Sequence, residues 1–465
     1  MAAAAARPSS PSGGLVTSTG LTLATRFAAF AFSLATNVML ARSLGPEGRG
    51  VYAVAVLIPA LIGLVAQLGI GPANVYHFSK GLVDADELIG HATALAMLLG
   101  SLCFGCVLVY IDTLGHGRIA GIAGQFVLVS CAALPFTLLT AFLQGILTGA
   151  QRFALFNATL LAQYALPTFA LAVILLTLRG STMGAVVAWT VSAIVCGVVT
   201  LSSVRPLGRL SVRLRRATLS RLFRFGLISY FGSLTSFVNY RFDVLLVNLF
   251  AGARQVGLYS VGTGLAEVVW YLANAAGIVL APRVASSEAR DADRLTEAVC
   301  RVVATLALVM GGVLAVFAPF LVVVFFGQAF AESVWAVWLL LPGIVTFSVG
   351  RILSMYLLGR NRLKVDLAAS LCGLVVTLVL DLALIPHFGF RGAAVASSIA
   401  YTCAMLVDLT WVIRNSTTSL RGLLLIRTSD ISTMWKRAGE LAPLATSLFA
   451  AARSRTLRRG SAGPA

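Results

Sequence analysis

LGPEGRGVYAVA, residues 44–55, and AGARQVGLYSVG, residues 251–262, are two versions of one stretch in a chain that is otherwise nearly all apolar. Gly45, Gly50, Tyr52 and Val54 align with Gly252, Gly257, Tyr259 and Val261 at an offset of 207 residues. GAVVA, from Gly184 to Ala188, returns as GAAVA, from Gly392 to Ala396, at an offset of 208. Unrelated coincidences carry unrelated offsets, so two distant motifs with one spacing point to duplication of a whole half. The sequence predicts two homologous lobes.

The 465 residues are 58% hydrophobic and only 11% charged, with a mean hydropathy of +0.92, whereas a soluble domain carries about 25% charged residues. The expectation is an all-α polytopic membrane protein. The opening MAAAAARPSSPSGG has no charged segment ahead of its alanines, and polar residues break the first apolar run, so no cleavable signal peptide is expected. Seven cysteines, an odd number falling mostly within apolar runs, imply no disulfide framework. Cys103 and Cys106 form a CxxC, but no His or second pair lies near in sequence to complete a zinc site.

A helix crossing the hydrocarbon needs about 20 apolar residues. Divided at Gly, Pro and charged clusters, the chain yields twelve spans: 17–41, 50–78, 88–111, 119–148, 155–178, 181–203, 223–250, 256–282, 299–326, 330–358, 363–385 and 390–413. Six per lobe is an even number, which makes the two copies parallel repeats related by an axis along the membrane normal. Lys and Arg set the orientation, because cytoplasmic loops hold the excess. With the N-terminus inside, twenty-six fall on the cytoplasmic side and six, including Arg42 and Arg49, on the other. The predicted organisation is an N-terminal six-helix lobe over 1–203, a basic cytoplasmic linker over 204–222, a C-terminal six-helix lobe over 223–413 and a basic, partly amphipathic cytoplasmic tail over 414–465. A net charge of +18 then reflects topology and contact with anionic lipid, not nucleic acid.

A charged side chain at bilayer depth costs roughly 2.5–3.5 kcal/mol on insertion scales, so each one demands a partner, water or a ligand. Five stand out: Arg26 in the first span, Arg241 and Asp243 in the seventh, Glu267 in the eighth and Arg351 in the tenth. Arg241 and Asp243 are two apart, about 200° around a helix, and cannot pair tightly with one another. Asp243 and Glu267 suit coupling to a proton or sodium gradient, or else neutralise the arginines. Asp366, Asp381 and Asp408 lie nearer span ends, where water is expected to reach them. Gln67 and Asn274 stand one repeat offset apart; they are placed to meet sugar hydroxyls, or to hold helices together. Gly45, Gly50, Gly252 and Gly257 are expected in tight turns, with Tyr52 and Tyr259 in the aromatic belt beside them. Pro59, Pro135, Pro167, Pro319 and Pro342 interrupt spans. No P-loop, HExxH or nucleophile elbow is present, the loops are short, and neither a metal nor a cofactor is expected.

LARSLGPEGRGVYAVA (40–55), NYRFDVLLVNLFAGARQVGLYSV (239–261), APRVA (281–285) and the matched turns GAQR (149–152) and GRNR (359–362) together resemble the lipid-linked oligosaccharide flippases and polysaccharide exporters of the multidrug/oligosaccharidyl-lipid/polysaccharide exporter superfamily. The resemblance covers about residues 15–413. It implies two six-helix lobes around a central cavity in the cytoplasmic (inner) membrane. It also implies a cargo, a polyprenyl-pyrophosphate-linked oligosaccharide moved across that membrane for surface polysaccharide synthesis, and work alongside a polymerase and a ligase. Arg26, Arg241 and Arg351 would then attract the pyrophosphate, guanidinium forks being matched to phosphate oxygens. A cation-coupled multidrug exporter is the alternative within the superfamily, and a membrane-embedded polysaccharide polymerase the alternative outside it.

Overall fold

A computed structural model describes residues 11–113, 117–119, 121–177, 181–210 and 215–424. The chain runs as α1 (Pro11–Ala66), α2 (Ile70–Ser79), α3 (Ala85–Thr113), a small antiparallel hairpin of β1 (Arg118–Ile119) and β2 (Ile122–Ala123), α4 (Gly124–Cys131), α5 (Leu134–Gly149), α6 (Phe153–Thr177), α7 (Thr182–Val204), α8 (Arg216–Ala251), α9 (Ala253–Ala266), α10 (Trp270–Ser286), α11 (Ala289–Leu321), α12 (Ser333–Gly359), α13 (Leu363–Phe388), α14 (Phe390–Asn415) and α15 (Leu420–Leu424). Helix is what an apolar sequence must form in lipid, where every backbone N–H and C=O has to be satisfied within its own segment. Among the described residues, ten helices are long and apolar enough to cross a membrane. One of these, α1, bends at Gly45 into two helices, and α8 covers the seventh expected span, so the twelve predicted spans fall largely on helix, the fourth starting in the β1–β2 hairpin. The protein is a helical, multi-pass membrane protein.

Several spans are broken helices. The fourth is α4 followed by α5, with Pro135 in the first turn of α5, where its missing N–H costs nothing. The eighth passes through a 3₁₀ turn, Glu267–Val269, between α9 and α10. The ninth ends in a π-helical turn, Val322–Phe326, whose Phe325 carbonyl accepts from Arg42 Nε at 2.9 Å.

The turns repeat with the sequence. Gly45 (φ 66°, ψ −178°) and Gly252 (φ 81°, ψ 171°) occupy the same region of backbone space, one essentially closed to residues with a Cβ. Gln151 and Asn361 both take a left-handed φ of 56°. The next amide then closes back on the preceding helix in each turn, Arg152 N–H to the Leu147 carbonyl at 2.9 Å and Arg362 N–H to the Leu357 carbonyl at 2.8 Å. Gly50 and Gly257, expected in turns, are instead inside α1 and α9. They mark the crossing of these two helices: a Cβ on Gly50 would overlap the Ala253 carbonyl, and one on Gly257 the Pro46 carbonyl. Pro46 and Ala253 are themselves 207 residues apart, so the crossing is reciprocal. Only glycine lets the backbones approach so closely.

The described residues divide into two compact units, one within residues 11–267, 314–343 and 370–403, the other within residues 268–313, 344–369 and 404–424. In the first, a core of Leu88, Leu138, Phe142, Leu143 and Ile146 joins α3 to α5. In the second, Leu280, Val303, Ile352, Tyr356 and Val412 join α10, α11, α12 and α14.

Candidate functional site

Two charged residues of α8, Arg241 and Asp243, each meet polar partners on neighbouring elements. Arg241 donates through Nη2 to Glu267 Oε2 at 3.3 Å, a hydrogen bond that is also an ion pair. Glu267 stands where α9 gives way to the 3₁₀ turn. Two residues on from Arg241, Asp243 points elsewhere, as the helical spacing requires, and is only 3% exposed. The Tyr259 hydroxyl of α9 donates to its Oδ2, the Ser397 hydroxyl of α14 approaches the same oxygen at 3.4 Å, and the Val244 N–H donates to Oδ1 at 2.7 Å. Tyr259 is therefore no interfacial belt residue. It is 1% exposed, because a phenol buried among helices needs an acceptor and Asp243 supplies one.

Asp381 of α13 was misplaced by the sequence. Its expected position near a water-accessible span end is wrong, because α13 continues to Phe388 and neighbouring helices close over the side chain. It is 0% exposed, and among the described residues neither carboxylate oxygen has a hydrogen-bond partner. Asp408 in the second unit is likewise buried, with Oδ1 unpartnered among the described residues.

Within the second unit, Arg351 of α12 donates through Nε to Asn274 Oδ1 of α10 at 2.8 Å. An amide oxygen orients a guanidinium without cancelling its charge, so this arginine keeps its capacity for an anion. Arg26 is exposed along α1 and makes no ion pair among the described residues. Gln67 lies in the break between α1 and α2, beside Leu68 and Gly69, both with positive φ.

Arg49, counted from sequence as a loop residue, is helical and 7% exposed. It donates to Asn37 Oδ1, and its guanidinium lies 5.8 Å from the Tyr52 ring centroid. The sequence thus found Arg241, Asp243, Glu267 and Arg351 as charges inside spans and missed Asp381, Ser397 and Arg49. The signal for Asp381 was available, a carboxylate within the apolar run LCGLVVTLVLDLALI. Nothing in the sequence brought Ser397 to Asp243.

Residues 39–335 match the family described as polysaccharide biosynthesis protein. The chain belongs to this family. Among solved structures, it is similar to the lipid II flippase MurJ in an inward closed conformation, with TM-score 0.73 and 13% identity over 87% of this chain and 89% of that one. It is similar also to an inward-facing multidrug resistance MATE transporter of the MOP superfamily, with TM-score 0.62 and 19% identity over 82% and 93%. A MOP superfamily transporter from Pyrococcus furiosus matches with TM-score 0.56 and 17% identity over 85% and 93%. No curated protein sequence matches the chain. At these identities the likeness establishes the fold, that of helical membrane transporters.

Proposed function

We propose that the chain is a flippase that moves a polyprenyl-pyrophosphate-linked oligosaccharide across the cytoplasmic membrane for surface polysaccharide synthesis, with both termini in the cytoplasm. The observation that carries this reading is the polysaccharide biosynthesis family match over residues 39–335 on a fold shared with the lipid II flippase MurJ. The repeated turns at Gly45 and Gly252 support a duplicated, two-lobe plan, which is how transporters build a pathway open alternately to either side. Movement of a lipid-linked headgroup breaks no covalent bond, so the reading assigns the chain no enzymatic step and needs no cofactor.

Arg26 and Arg351 are the strongest candidates to meet the pyrophosphate, since neither is held in an ion pair among the described residues. Arg241 contributes less net charge because Glu267 faces it at 3.3 Å. Asp243, a carboxylate buried within α8, is the better candidate for ion coupling, since a buried carboxylate stays ionised only with a partner, a proton or a cation to offset its charge. Glu267 serves charge pairing. Gln67 and Asn274 remain candidates for sugar contacts, Asn274 with one oxygen committed to Arg351.

Depleting the protein tests the reading. Loss of surface polymer, with oligosaccharide stranded on the cytoplasmic leaflet, supports it. New sensitivity to cationic drugs with polymer unchanged moves the assignment to a drug exporter, and precursor stranded on the outer leaflet moves it to a polymerase.

A further inference from the structure

The segments leaving the sixth and twelfth spans are pinned in the same way. Beyond α7, the Arg209 N–H donates to Asp86 Oδ1 at 2.7 Å, in the first turn of α3. Beyond α14, the Thr417 N–H donates to Asp293 Oδ2 at 2.8 Å, near the start of α11. Asp86 and Asp293 are 207 residues apart, and Arg209 and Thr417 are 208, the two offsets of the repeat.

A second tier of contacts reinforces each. Glu87 accepts the Thr218 hydroxyl at 2.6 Å, and buried His91 accepts the Arg215 N–H at Nε2, at 2.9 Å. The other ring nitrogen, Nδ1, faces the Glu87 carbonyl at 2.6 Å. A carbonyl only accepts, so Nδ1 carries the proton and Nε2 is left free to accept. On the second copy, Asp293 also takes the Tyr356 hydroxyl at 2.7 Å and the Thr417 hydroxyl at 2.8 Å. Glu297 accepts the Ser419 N–H at 3.0 Å, and buried Arg301 donates to the Gly422 carbonyl. Each segment presses a glycine on its carboxylate: a Cβ on Gly208 would meet Asp86, and one on Gly422 would meet Glu297.

We propose that these contacts are one duplicated device, a strap. The first strap ties the linker back onto the third span. The second ties the opening residues of the C-terminal tail back onto the ninth, so that the tail begins from an anchored point and not as a free end. Asp86 and Asp293 are the positioning residues. Each fixes the end of the last helix of a repeat against its third helix through charge-assisted bonds to backbone.

Buried Thr418 and Thr218 report the two straps. Thr418→Cys or Thr218→Cys is introduced into the full chain, and labelling of the engineered peptide by a membrane-impermeant maleimide, applied to inverted vesicles, is followed by mass. With the straps intact, both positions are protected. Asp293→Ala is expected to speed labelling of Thr418→Cys at least about tenfold, as an anchored segment opens locally, without changing Thr218→Cys. Asp86→Ala is expected to do the converse. Should Asp293→Ala fail to accumulate, Thr417→Pro, which removes both the N–H and the hydroxyl that donate to Asp293 Oδ2, is expected to give the same acceleration. Unchanged labelling in Asp293→Ala, or in Thr417→Pro where that variant takes its place, overturns the strap. The readout needs no cargo, so its failure is distinct from failure of the transport reading.

Discussion

The two copies of the founding motif share their backbone and differ in their charge. Gly45 and Gly252 turn the chain in the same unusual conformation, and Gly50 and Gly257 pack reciprocally at the crossing of α1 and α9. Yet the tyrosine seven residues beyond each turn meets opposite partners. Tyr52 lies against the buried guanidinium of Arg49, whereas Tyr259 donates its hydroxyl to the buried carboxylate of Asp243. At the position equivalent to Asp243 the first copy has Thr36, whose hydroxyl pairs with that of Thr168 at 2.7 Å. Duplication preserved what steric necessity dictates, turns and close backbone approach. The polar interior was free to diverge, and the second copy took the carboxylates.

The largest effects should come from the conserved part of this comparison. Gly50→Leu and Gly257→Leu must each displace backbone at the crossing, at a cost of more than about 3 kcal/mol, and are expected to abolish recovery of folded protein. Gly105→Leu and Gly312→Leu, which meet nothing within 4 Å, are expected to leave recovery and thermal unfolding unchanged. Equal behaviour of the two pairs would show that the crossing is not tight.

Divergence in function is sharpened by Asp243→Asn against Thr36→Val. The first is expected to lower polymer export at least about tenfold with protein amount preserved, because an amide cannot exchange a proton or balance a cation. The second is expected to cost less than about 1 kcal/mol of stability, one neutral hydrogen bond, and to leave export intact.

Smaller and symmetric costs are expected at the turns. Gly45→Ala and Gly252→Ala should each lose about 1–3 kcal/mol for holding a Cβ in a glycine-only conformation, measured as matched drops in melting temperature in detergent. The smallest difference lies between Tyr259→Phe, expected to cost about 1–2 kcal/mol for stranding part of the Asp243 acceptor capacity, and Tyr52→Phe, which keeps its ring over Arg49 and should cost less than about 0.5 kcal/mol. Equal losses for the two phenylalanine variants would remove the distinction between the copies.

The helices were legible in the sequence because lipid leaves an apolar chain of this length few alternatives. The turns were legible because glycine spacing survives duplication. Breaks inside spans, such as the 3₁₀ turn at Glu267 and the π-helical end of the ninth span, carry no sequence signature of their own and were invisible. In the site, charge alone flagged Asp243 and Glu267, since an ionised group amid apolar residues needs an explanation. The meeting of Asp243 with Ser397 depends on how α8 and α14 pack, which periodicity does not encode. Arg49 was misread because a basic residue beside two glycines looks like a loop, whereas its helix resumes immediately after Gly45.

The central claim, that this chain carries a lipid-linked oligosaccharide from the cytoplasmic to the outer leaflet, is tested most directly on spheroplasts in which the protein is depleted and the polyprenyl-pyrophosphate oligosaccharide is probed with a glycosidase that cannot cross the membrane. The account predicts that the accumulated oligosaccharide is protected in intact spheroplasts and digested once they are lysed, and that restoring the wild-type chain, but not Asp243→Asn, makes it digestible from outside. Oligosaccharide fully digestible from outside in depleted cells would contradict it.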